Sequence, residues 1–369
     1  MKPENIFQLV NTFGTPLYVY EEEIVRHNYH SITNTFPEAE IHYAVMCNNN
    51  PFILRIIQEM GGGVQINSLS ELDLASNAGF SRDKIYFTSV GLDPKTLETL
   101  VTEKISLNLD SVEEVEKYCR IGNDLGIRVR MPEFKLPRQT TNSSKNSNVG
   151  IVEQYFDRIK SLAAASGSRV IGFHGYLASN INEPEPFAQF ADYLSQQARK
   201  FPDLQYVNFG SGFGLELDLS VVSGYYGTVM RELSTFFGRQ IRMKIEPGRS
   251  IMALAGKLYT KVTNVKQLDG KKQIAIDAGF GDFVRPLLYG AEHPIEVVGK
   301  SGTKEWYDIR GNTVLQSDFL GYNRKLPPVK EDDILMISNV GAYGRVMASG
   351  FPGKTLPKEV VVMMDGSLL

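Results

Sequence analysis

Glu246, Pro247, Gly248 and Arg249 place a carboxylate, a turn and a cation within four residues. They lie at the end of a short run, 242–246, that is typical of a β-strand. Proline cannot donate a hydrogen bond to a sheet, so the strand ends there. Glycine allows close backbone approach, and arginine offers several donors to an anion. The four residues suit a phosphate site, but they also suit an ordinary surface turn.

A second candidate segment is rich in glycine and follows another predicted strand, 206–209. It consists of Gly210, Ser211, Gly212, Phe213 and Gly214. Such a loop can surround a phosphate with backbone N–H groups. A carboxylate such as Glu246 beside a phosphate needs a cationic partner on the ligand, for example a protonated pyridine nitrogen. The two segments together predict a pyridoxal phosphate site.

The elements that must position these segments form a regular alternation. Short β-rich runs lie at 41–46, 63–66, 84–90, 105–109, 128–131, 170–177, 206–209 and 242–246, separated by segments long enough for a helix. Residues 51–60 have helical apolar spacing, and Ser111 to Glu114 resemble a capping box. Eight strand–helix units predict an α/β fold, a (β/α)8 TIM barrel, with its site at the carboxyl ends of the strands. A doubly wound open sheet is the alternative, but no Gly-x-Gly-x-x-Gly follows the first strand.

Beyond about residue 255 the pattern changes to strands without intervening helices, at 259–265, 272–276, 295–298, 334–337 and 359–363. These runs predict a second, all-β domain that the early strand 16–20 joins. The expected domains are residues 26–256 for the pyridoxal phosphate-binding barrel, and residues 1–25 with 257–369 for the β-domain. The polar segment 138–148 is predicted to be a mobile loop over the barrel mouth or an inert insertion.

Composition limits the classes of partner. The 369 residues carry a net charge of -3, from 39 basic and 42 acidic side chains, which gives no sign of a nucleic-acid partner. Two cysteines, Cys47 and Cys119, and no charged-then-apolar leader predict a cytoplasmic protein. No apolar run reaches the roughly 18 residues that a membrane span needs. We therefore expect a small-molecule substrate, no membrane partner and no metal site.

Several motifs occur in an order that resembles the fold type III pyridoxal phosphate-dependent decarboxylases acting on diaminopimelate, ornithine and arginine. The resemblance extends from Thr15 to Val362. Besides the glycine-rich loop and Glu246-Pro247-Gly248-Arg249, the motifs are Tyr43-Ala44-Val45, Asp277-Ala278-Gly279-Phe280, Arg285-Pro286 with Leu288-Tyr289-Gly290, and Gly341-Ala342-Tyr343-Gly344. Alanine racemases share the barrel but lack the Glu-Pro-Gly-Arg and Gly-Ala-Tyr-Gly motifs.

The resemblance implies roles for the matching residues. Glu246 would contact the pyridine nitrogen of the cofactor. The phosphate would be held by the glycine-rich loop together with Gly248, Arg249 and Tyr343.

The resemblance also implies how an amino-acid substrate binds. Arg285 and Tyr289 would receive the substrate. Relatives are dimers with sites built from both chains, so the chain is expected to form a homodimer in which the segment around Asp318 contributes to the site.

The sequence departs from the family pattern where the family forms its Schiff base. The family's first strand ends in Tyr-Ala-Val-Lys, whereas this chain has Met46 at the lysine position. A thioether neither condenses with an aldehyde nor transfers a proton. Four further family positions, an Asp, a ring-stacking His, a Cys and an acidic residue, correspond to Gln65, Tyr176, Val314 and Leu315.

Three residues could compensate for these losses. Lys244 precedes Glu246 by two residues on the same strand and should share its inward face, so it could act as a displaced lysine or form a buried ion pair with Glu246 or another acidic neighbour. His174 could act as an acid or base, or be a core histidine. Tyr176 could stack on the cofactor ring.

Three explanations stay open. In the first, the protein is a divergent lyase that acts on an amino acid or on a preformed aldimine of amino acid and cofactor. In the second, it is a non-catalytic homologue that binds the cofactor or stabilises an active paralogue in a heterodimer. In the third, Met46 is an engineered substitution of lysine in a decarboxylase.

Overall fold

The computed structural model describes residues 1–88, 90–136, 148–268 and 270–369. The chain divides into two compact units, Arg26–Ser250 and a second unit formed by Met1–Val25 with Ile251–Leu369. Sequence analysis placed the later boundary after residue 256. The predicted loop at 138–148 lies, except for Asn148, outside the described residues.

The strands have the following bounds. They are β1 (Leu17–Glu21), β2 (Ala39–Ala44), β3 (Gly63–Ile66), β4 (Ile85–Thr88), β5 (Ser106–Leu109), β6 (Asp124–Arg128), β7 (Arg169–His174), β8 (Tyr206–Asn208), β9 (Arg242–Ile245), β10 (Gly256–Leu268), β11 (Lys271–Ile276), β12 (Ile295–Val297), β13 (Glu305–Arg310), β14 (Phe319–Leu326), β15 (Ile334–Ser338) and β16 (Lys358–Val362).

The helices have the following bounds. They are α1 (Pro3–Phe13), α2 (Glu22–Thr35), α3 (Pro51–Glu59), α4 (Leu69–Asn77), α5 (Pro94–Thr102), α6 (Val112–Tyr118), α7 (Phe156–Ser166), α8 (Glu185–Ala198), α9 (Leu219–Phe237), α10 (Arg249–Met252) and α11 (Arg285–Tyr289). None of the helices in the described residues combines the length and the hydropathy that a bilayer crossing needs.

Strands β2 to β9 close a barrel, in which every neighbouring pair is parallel. Strand β9 returns to β2 with Glu40 opposite Lys244, which completes the ring. The predicted (β/α)8 barrel is confirmed. Because all eight strands run the same way, their carboxyl ends meet at one mouth.

The fifth barrel strand was predicted at 128–131, but β6 covers Asp124–Arg128. Gly126 inside it resembles a turn residue in the sequence. The structure shows why a glycine is needed, since a Cβ atom there would lie 2.4 Å from the Tyr206 hydroxyl oxygen. Gly172 on β7 makes room for the same ring, so two glycines allow one tyrosine to fill the barrel interior.

Local sequence signals start the barrel helices. Asn50 caps α3 by accepting a hydrogen bond from the Phe52 N–H, and Pro51 occupies the first turn. Ser111 caps α6 through the Glu114 N–H, as predicted. The Glu114 carboxylate instead accepts hydrogen bonds from the N–H groups of Leu92 and Asp110, so it joins two loops at the mouth.

The smaller unit is mostly β. Its sheet has the order β12-β15-β10-β11-β13-β14, and β1 adds to it by pairing with β10 and β16, which confirms the prediction for the early strand. Strands β13 and β14 were missed. So were helices α1 and α11. Helix α1 buries Ile6, Leu9 and Val10 in the core of this unit, so the unit is not purely β as predicted.

Candidate active site

Glu246 follows the last residue of β9 and is held at the barrel mouth by contacts from two neighbouring strands. The side-chain amide of Asn208 donates a hydrogen bond of 2.7 Å to Glu246 Oε1. Nε2 of His174 lies 3.4 Å from Glu246 Oε2. The Glu246 N–H donates to the carbonyl oxygen of Gly210 at 2.7 Å. These contacts fix both the carboxylate and its backbone.

The Glu246 carboxylate is kept ionised although it is only 8% exposed. Burial by itself raises the pKa of Glu246, but His174 and the hydrogen bond from the Asn208 amide hold the pKa below its ordinary value. The group is therefore a fixed anion at neutral pH, suited to a cation on a bound ligand.

The glycine-rich loop approaches other backbone so closely that side chains are excluded. Gly210 and Gly212 have φ angles of 57° and 95°, and a Cβ atom on Gly212 would lie 1.8 Å from the Ala178 carbonyl oxygen. Ser211 lies half-buried between them. The Gly214 N–H donates to the carbonyl of Ile181 at 2.8 Å. The backbone of this loop is thus fixed at the mouth.

Phe213 differs from the other loop residues. Its ring is buried and stacks on Phe36 with the ring centroids 5.8 Å apart. It also lies 5.5 Å from Phe187. The side chain therefore packs in the core, and only the backbone of Phe213 is left to contact a ligand.

Gly248 packs against the turn that carries Met46. A Cβ atom on Gly248 would lie 2.7 Å from the Cβ of Cys47. Met46 is in a single 3-10 turn, Val45–Cys47, that directly follows β2, and its side chain is 45% exposed. Arg249 begins α10 and is half-buried. The Ser250 hydroxyl oxygen is buried without a hydrogen-bond partner among the described residues.

Tyr176 and His174 lie next to the glycine-rich loop. A Cβ atom on Gly210 would lie 3.3 Å from Tyr176 and 3.7 Å from Nε2 of His174. The Tyr176 hydroxyl hydrogen-bonds Ser179 at 2.5 Å, which fixes the ring. Burial raises the pKa of Tyr176, so this phenol stays neutral.

Lys244 lies deeper in the barrel. Its Nζ is 3.5 Å from Oε2 of Glu40, and it lies 4.5 Å and 4.4 Å from the ring centroids of Tyr86 and Tyr206. The ion pair with an acidic neighbour that the sequence allowed is therefore formed, and the partner is Glu40. Burial lowers the pKa of Lys244, whereas Glu40 opposes that change. The role of displaced lysine stays a prediction.

An ionic pair at the mouth was not predicted from the sequence. Nε of Arg128 lies 3.9 Å from Oδ1 of Asp110, and the Gly150 N–H donates to the same oxygen at 2.9 Å. Burial raises the pKa of Asp110, against the effect of Arg128. A signal was present, because Asp110 directly follows β5 and polar residues at carboxyl strand ends face a barrel mouth. Arg128 was missed because the strand that ends at this residue was predicted to begin there.

Tyr343, Arg285 and Tyr289 belong to the smaller unit. Tyr343 has a φ angle of 56°, an uncommon conformation for a residue with a Cβ atom and one that is enriched at functional sites. The Arg285 guanidinium lies 5.7 Å from the Tyr289 ring centroid on α11, so these two predicted substrate contacts are neighbours.

Asp318 is fully buried in the smaller unit. Its carboxylate accepts hydrogen bonds from the N–H groups of Phe280 and Thr313 and from the Thr313 hydroxyl. These contacts organise the loop before β14. A side chain with no exposed surface does not reach a ligand, so any contribution to a site comes from its neighbours, and that role stays a prediction.

Comparison with known proteins identifies the family. The model of the pyridoxal-dependent decarboxylase, pyridoxal binding domain, matches residues 22–253. The chain belongs to the pyridoxal-dependent decarboxylases. The matched domain is the one that binds the cofactor, so pyridoxal phosphate is the cofactor of this barrel.

Among the decarboxylases, the relatives include enzymes named diaminopimelate decarboxylase. One from Aquifex aeolicus is 30% identical, covering 96% of this chain and 88% of the relative. A probable chloroplastic diaminopimelate decarboxylase from Oryza sativa is 31% identical, covering 96% of this chain and 76% of the relative.

Solved decarboxylase structures have the same fold. A crystal structure of diaminopimelate decarboxylase superposes with a TM-score of 0.92 at 26% identity, over 100% of this chain and 93% of the other. The enzyme from m. jannaschii in co-complex with L-lysine has a TM-score of 0.89 at 26% identity, over 98% and 90% of the two chains.

The barrel residues fit the cofactor that the family binds. The close approach of Gly212 to Ala178 fixes the backbone of the glycine-rich loop, whose N–H groups would bind a phosphate, and the Ser250 hydroxyl offers a buried donor without a partner among the described residues. Glu246 would supply the anion that a protonated ring nitrogen needs. When bound, the cofactor supplies the electron sink for reactions at an amino-acid α-carbon.

Proposed function

We propose that the protein binds pyridoxal phosphate at the barrel mouth and is a divergent amino-acid lyase that works without the usual lysine. Glu246 is the observation that carries this proposal. A carboxylate buried in a barrel is unfavourable unless something compensates its charge. The ionised state of Glu246, supported by Asn208 and His174, would stabilise a cationic ring bound at the mouth.

In this proposal Met46 occupies the position of the family's Schiff-base lysine. The match of Tyr43-Ala44-Val45 to the end of the family's first strand supports the assignment, as does the exposed place of Met46 directly after β2. Among the described lysines of the barrel unit, Lys244 alone is buried, and it is paired with Glu40. The cofactor is therefore proposed to bind without a covalent bond to the protein.

The residues around Glu246 would bind the phosphate, contact the ring and hold a proton. The glycine-rich loop with Gly248, Arg249 and Tyr343 would hold the phosphate. Tyr176, fixed by Ser179, would lie against the ring and exclude water from one face. His174 would hold or donate a proton at Nε2, because this nitrogen lies 3.4 Å from Oε2 of Glu246 at the mouth.

The substrate is proposed to be an amino acid with an intact α-carboxylate, and diamino acids are the first to test. The relatives are named diaminopimelate decarboxylases, and two solved relatives are described in complex with L-lysine. Arg285 and Tyr289 would receive this substrate, with the segment around Asp318 contributing from the second chain of a homodimer.

Release of labelled carbon dioxide tests the proposal. The protein with pyridoxal phosphate is incubated with carboxyl-labelled lysine, ornithine and the diaminopimelate isomers, and free cofactor is the blank. We expect release above the blank for at least one substrate. In Glu246→Gln the rate is expected to fall at least about tenfold while the cofactor still binds, because the anion at the ring nitrogen is lost. Release no faster than the blank for every substrate would refute the lyase proposal.

Met46 favours a second candidate, a non-catalytic homologue that stabilises an active paralogue. This candidate predicts that the tagged protein purifies with an active decarboxylase and raises its activity. A strict homodimer in sedimentation experiments, with no effect on such an enzyme, would exclude it. The engineered origin of Met46 is tested by reading the codon in the natural gene.

A further inference from the structure

The barrel interior below Glu246 contains a charged layer that the proposed chemistry does not use. Lys244 lies two residues before Glu246, which places their Cα atoms about 6.6 Å apart along the strand on the same face. Its ammonium lies between the rings of Tyr86 and Tyr206 and beside Glu40. The layer therefore contains a buried cation one level below the anion of the mouth.

The rings that surround this cation are themselves fixed. The hydroxyl groups of Tyr86 and Tyr206 hydrogen-bond each other, and Tyr86 also donates to Oδ1 of Asn108 at 2.6 Å. Both rings are buried. Aromatic faces stabilise a cation that has lost water. The ammonium is thus held in one place and cannot move to the mouth without breaking these contacts.

The charged groups near Lys244 lie closer to water than its ammonium does. Glu40 is partly exposed and also binds Arg242, whose Nη1 is 3.1 Å from Oε1. Water screens both exposed groups, whereas the buried ammonium is screened less. The cation of this layer is therefore more buried than its anionic partner, with side-chain exposures of 6% for Lys244 and 39% for Glu40.

We propose that Lys244 is a positioning residue whose fixed ammonium keeps the Glu246 carboxylate charged and in place for the ring nitrogen of the cofactor. The inference rests on the proposed function, because it takes Glu246 as the partner of that nitrogen. It assigns Lys244 to the support of the anion and not to covalent attachment.

Several other titratable groups surround Glu246. They are His174 on β7, His42 on β2, Tyr86 on β4, Tyr206 on β8 and Tyr176 after β7. The pKa of His42 is lowered to about 4, mainly by burial and secondly by the charge of Lys244, so this histidine is neutral near pH 7. Burial raises the pKa of the three tyrosines, so they are neutral as well. Arg128 and Arg249 also carry positive charge near Tyr176 at the mouth, whereas Lys244 is the cation of the layer below Glu246.

The test is a titration of Glu246 in the protein without cofactor. Glutamate labelled with carbon-13 at the side-chain carboxyl is followed by NMR, and the Glu246 signal is assigned by its loss in Glu246→Gln. In Lys244→Met, which keeps the length of the side chain between the two rings, we expect the pKa of Glu246 to rise by on the order of one unit. That value corresponds to unit charges about 10 Å apart at an effective dielectric constant near 20.

Arg242→Gln is the matched control. Arg242 is on the same strand and binds the same carboxylate of Glu40, but its side chain is about half exposed. We expect Arg242→Gln to move the pKa of Glu246 by no more than a few tenths of a unit, because water screens the lost charge. Equal shifts in the two variants, or no shift in Lys244→Met, would overturn the proposal.

A second variant and a wild-type measurement keep the test decisive. Lys244→Gln is expected to give the same upward shift. In the wild-type protein, nitrogen-15 NMR should show a charged Lys244 ammonium near the rings of Tyr86 and Tyr206 at pH 7, and a neutral amine would overturn the proposal. Because no cofactor or substrate is present, failure here is distinct from failure of the carbon dioxide assay.

Discussion

Replacing Met46 by lysine is expected to restore covalent capture of the cofactor. Met46 is 45% exposed in a turn at the end of β2, so the new ammonium stays in contact with water. The substitution removes little buried apolar surface and buries no charge. The free energy of unfolding should therefore change by no more than about 0.5 kcal/mol. The variant thus separates chemistry from stability.

Borohydride trapping measures the gain. The protein is incubated with pyridoxal phosphate, treated with borohydride and dialysed, and the retained cofactor is located by mass spectrometry of peptides. Met46→Lys should retain close to one cofactor per chain on the peptide that contains residue 46. The wild-type protein should retain at least about tenfold less, because Lys244 is held by Glu40 and two rings.

Ile121→Lys is the matched control for this experiment. Ile121 is 44% exposed and precedes β6, so it lies at the end of the barrel opposite the mouth. It adds the same amine at similar exposure. If Met46→Lys retained no more cofactor than Ile121→Lys, residue 46 would not face the cofactor and the proposed family correspondence would be wrong.

Two further predictions concern the glycine-rich loop and acid stability. Gly212→Ala should lower the free energy of unfolding by more than about 3 kcal/mol and abolish cofactor binding, because the new Cβ meets the Ala178 carbonyl and φ is 95°. Gly224→Ala in α9, where a Cβ atom meets nothing within 4 Å, should instead stabilise by about 0.5–1 kcal/mol in the same urea titration; equal effects would refute the packing argument. Burial lowers the pKa of His42 from 6.5 to about 4, so between these pH values the unfolded chain binds more protons than the folded protein. Acidification from pH 6.5 to 4 should therefore lower the free energy of unfolding by up to about 3 kcal/mol through this group. In His42→Gln that part of the pH dependence should disappear, and an unchanged slope would contradict the assignment.

The alternation of strands and helices was sufficient to predict the barrel. Each strand must bury an apolar face, and several separators have a helical spacing or a capping residue such as Ser111. The second unit was harder, because polar residues such as Asp308 and Asn323 to Lys325 interrupt any regular alternation in β13 and β14, and the two strands pair with register shifts. Helix α1 was missed although Pro3 and Glu4 stand in its first turn and Ile6, Leu9 and Val10 share its buried face.

The candidate site was predictable where function depends on the backbone and less so where it depends on burial. Glycines mark the loop around Gly212 because a Cβ atom does not fit there, and this requirement is visible in a sequence. The contacts of Lys244 are not visible, since Glu40, Tyr86 and Tyr206 come from three other strands. Arg128 was missed for a related reason, because Gly126 concealed the strand that ends in it.

The buried charges distinguish the two candidate functions. Replacing buried charged groups by apolar side chains is often neutral or stabilising, so a barrel that only supports a partner chain gains nothing from Glu246 or from Lys244. Both carry hydrogen bonds or ring contacts that fix them in place. The free-energy cost of burying these charges is offset when a ligand with a complementary charge binds at the mouth. The interior of the barrel therefore favours a protein that still binds its cofactor for chemistry, although residue 46 is a methionine.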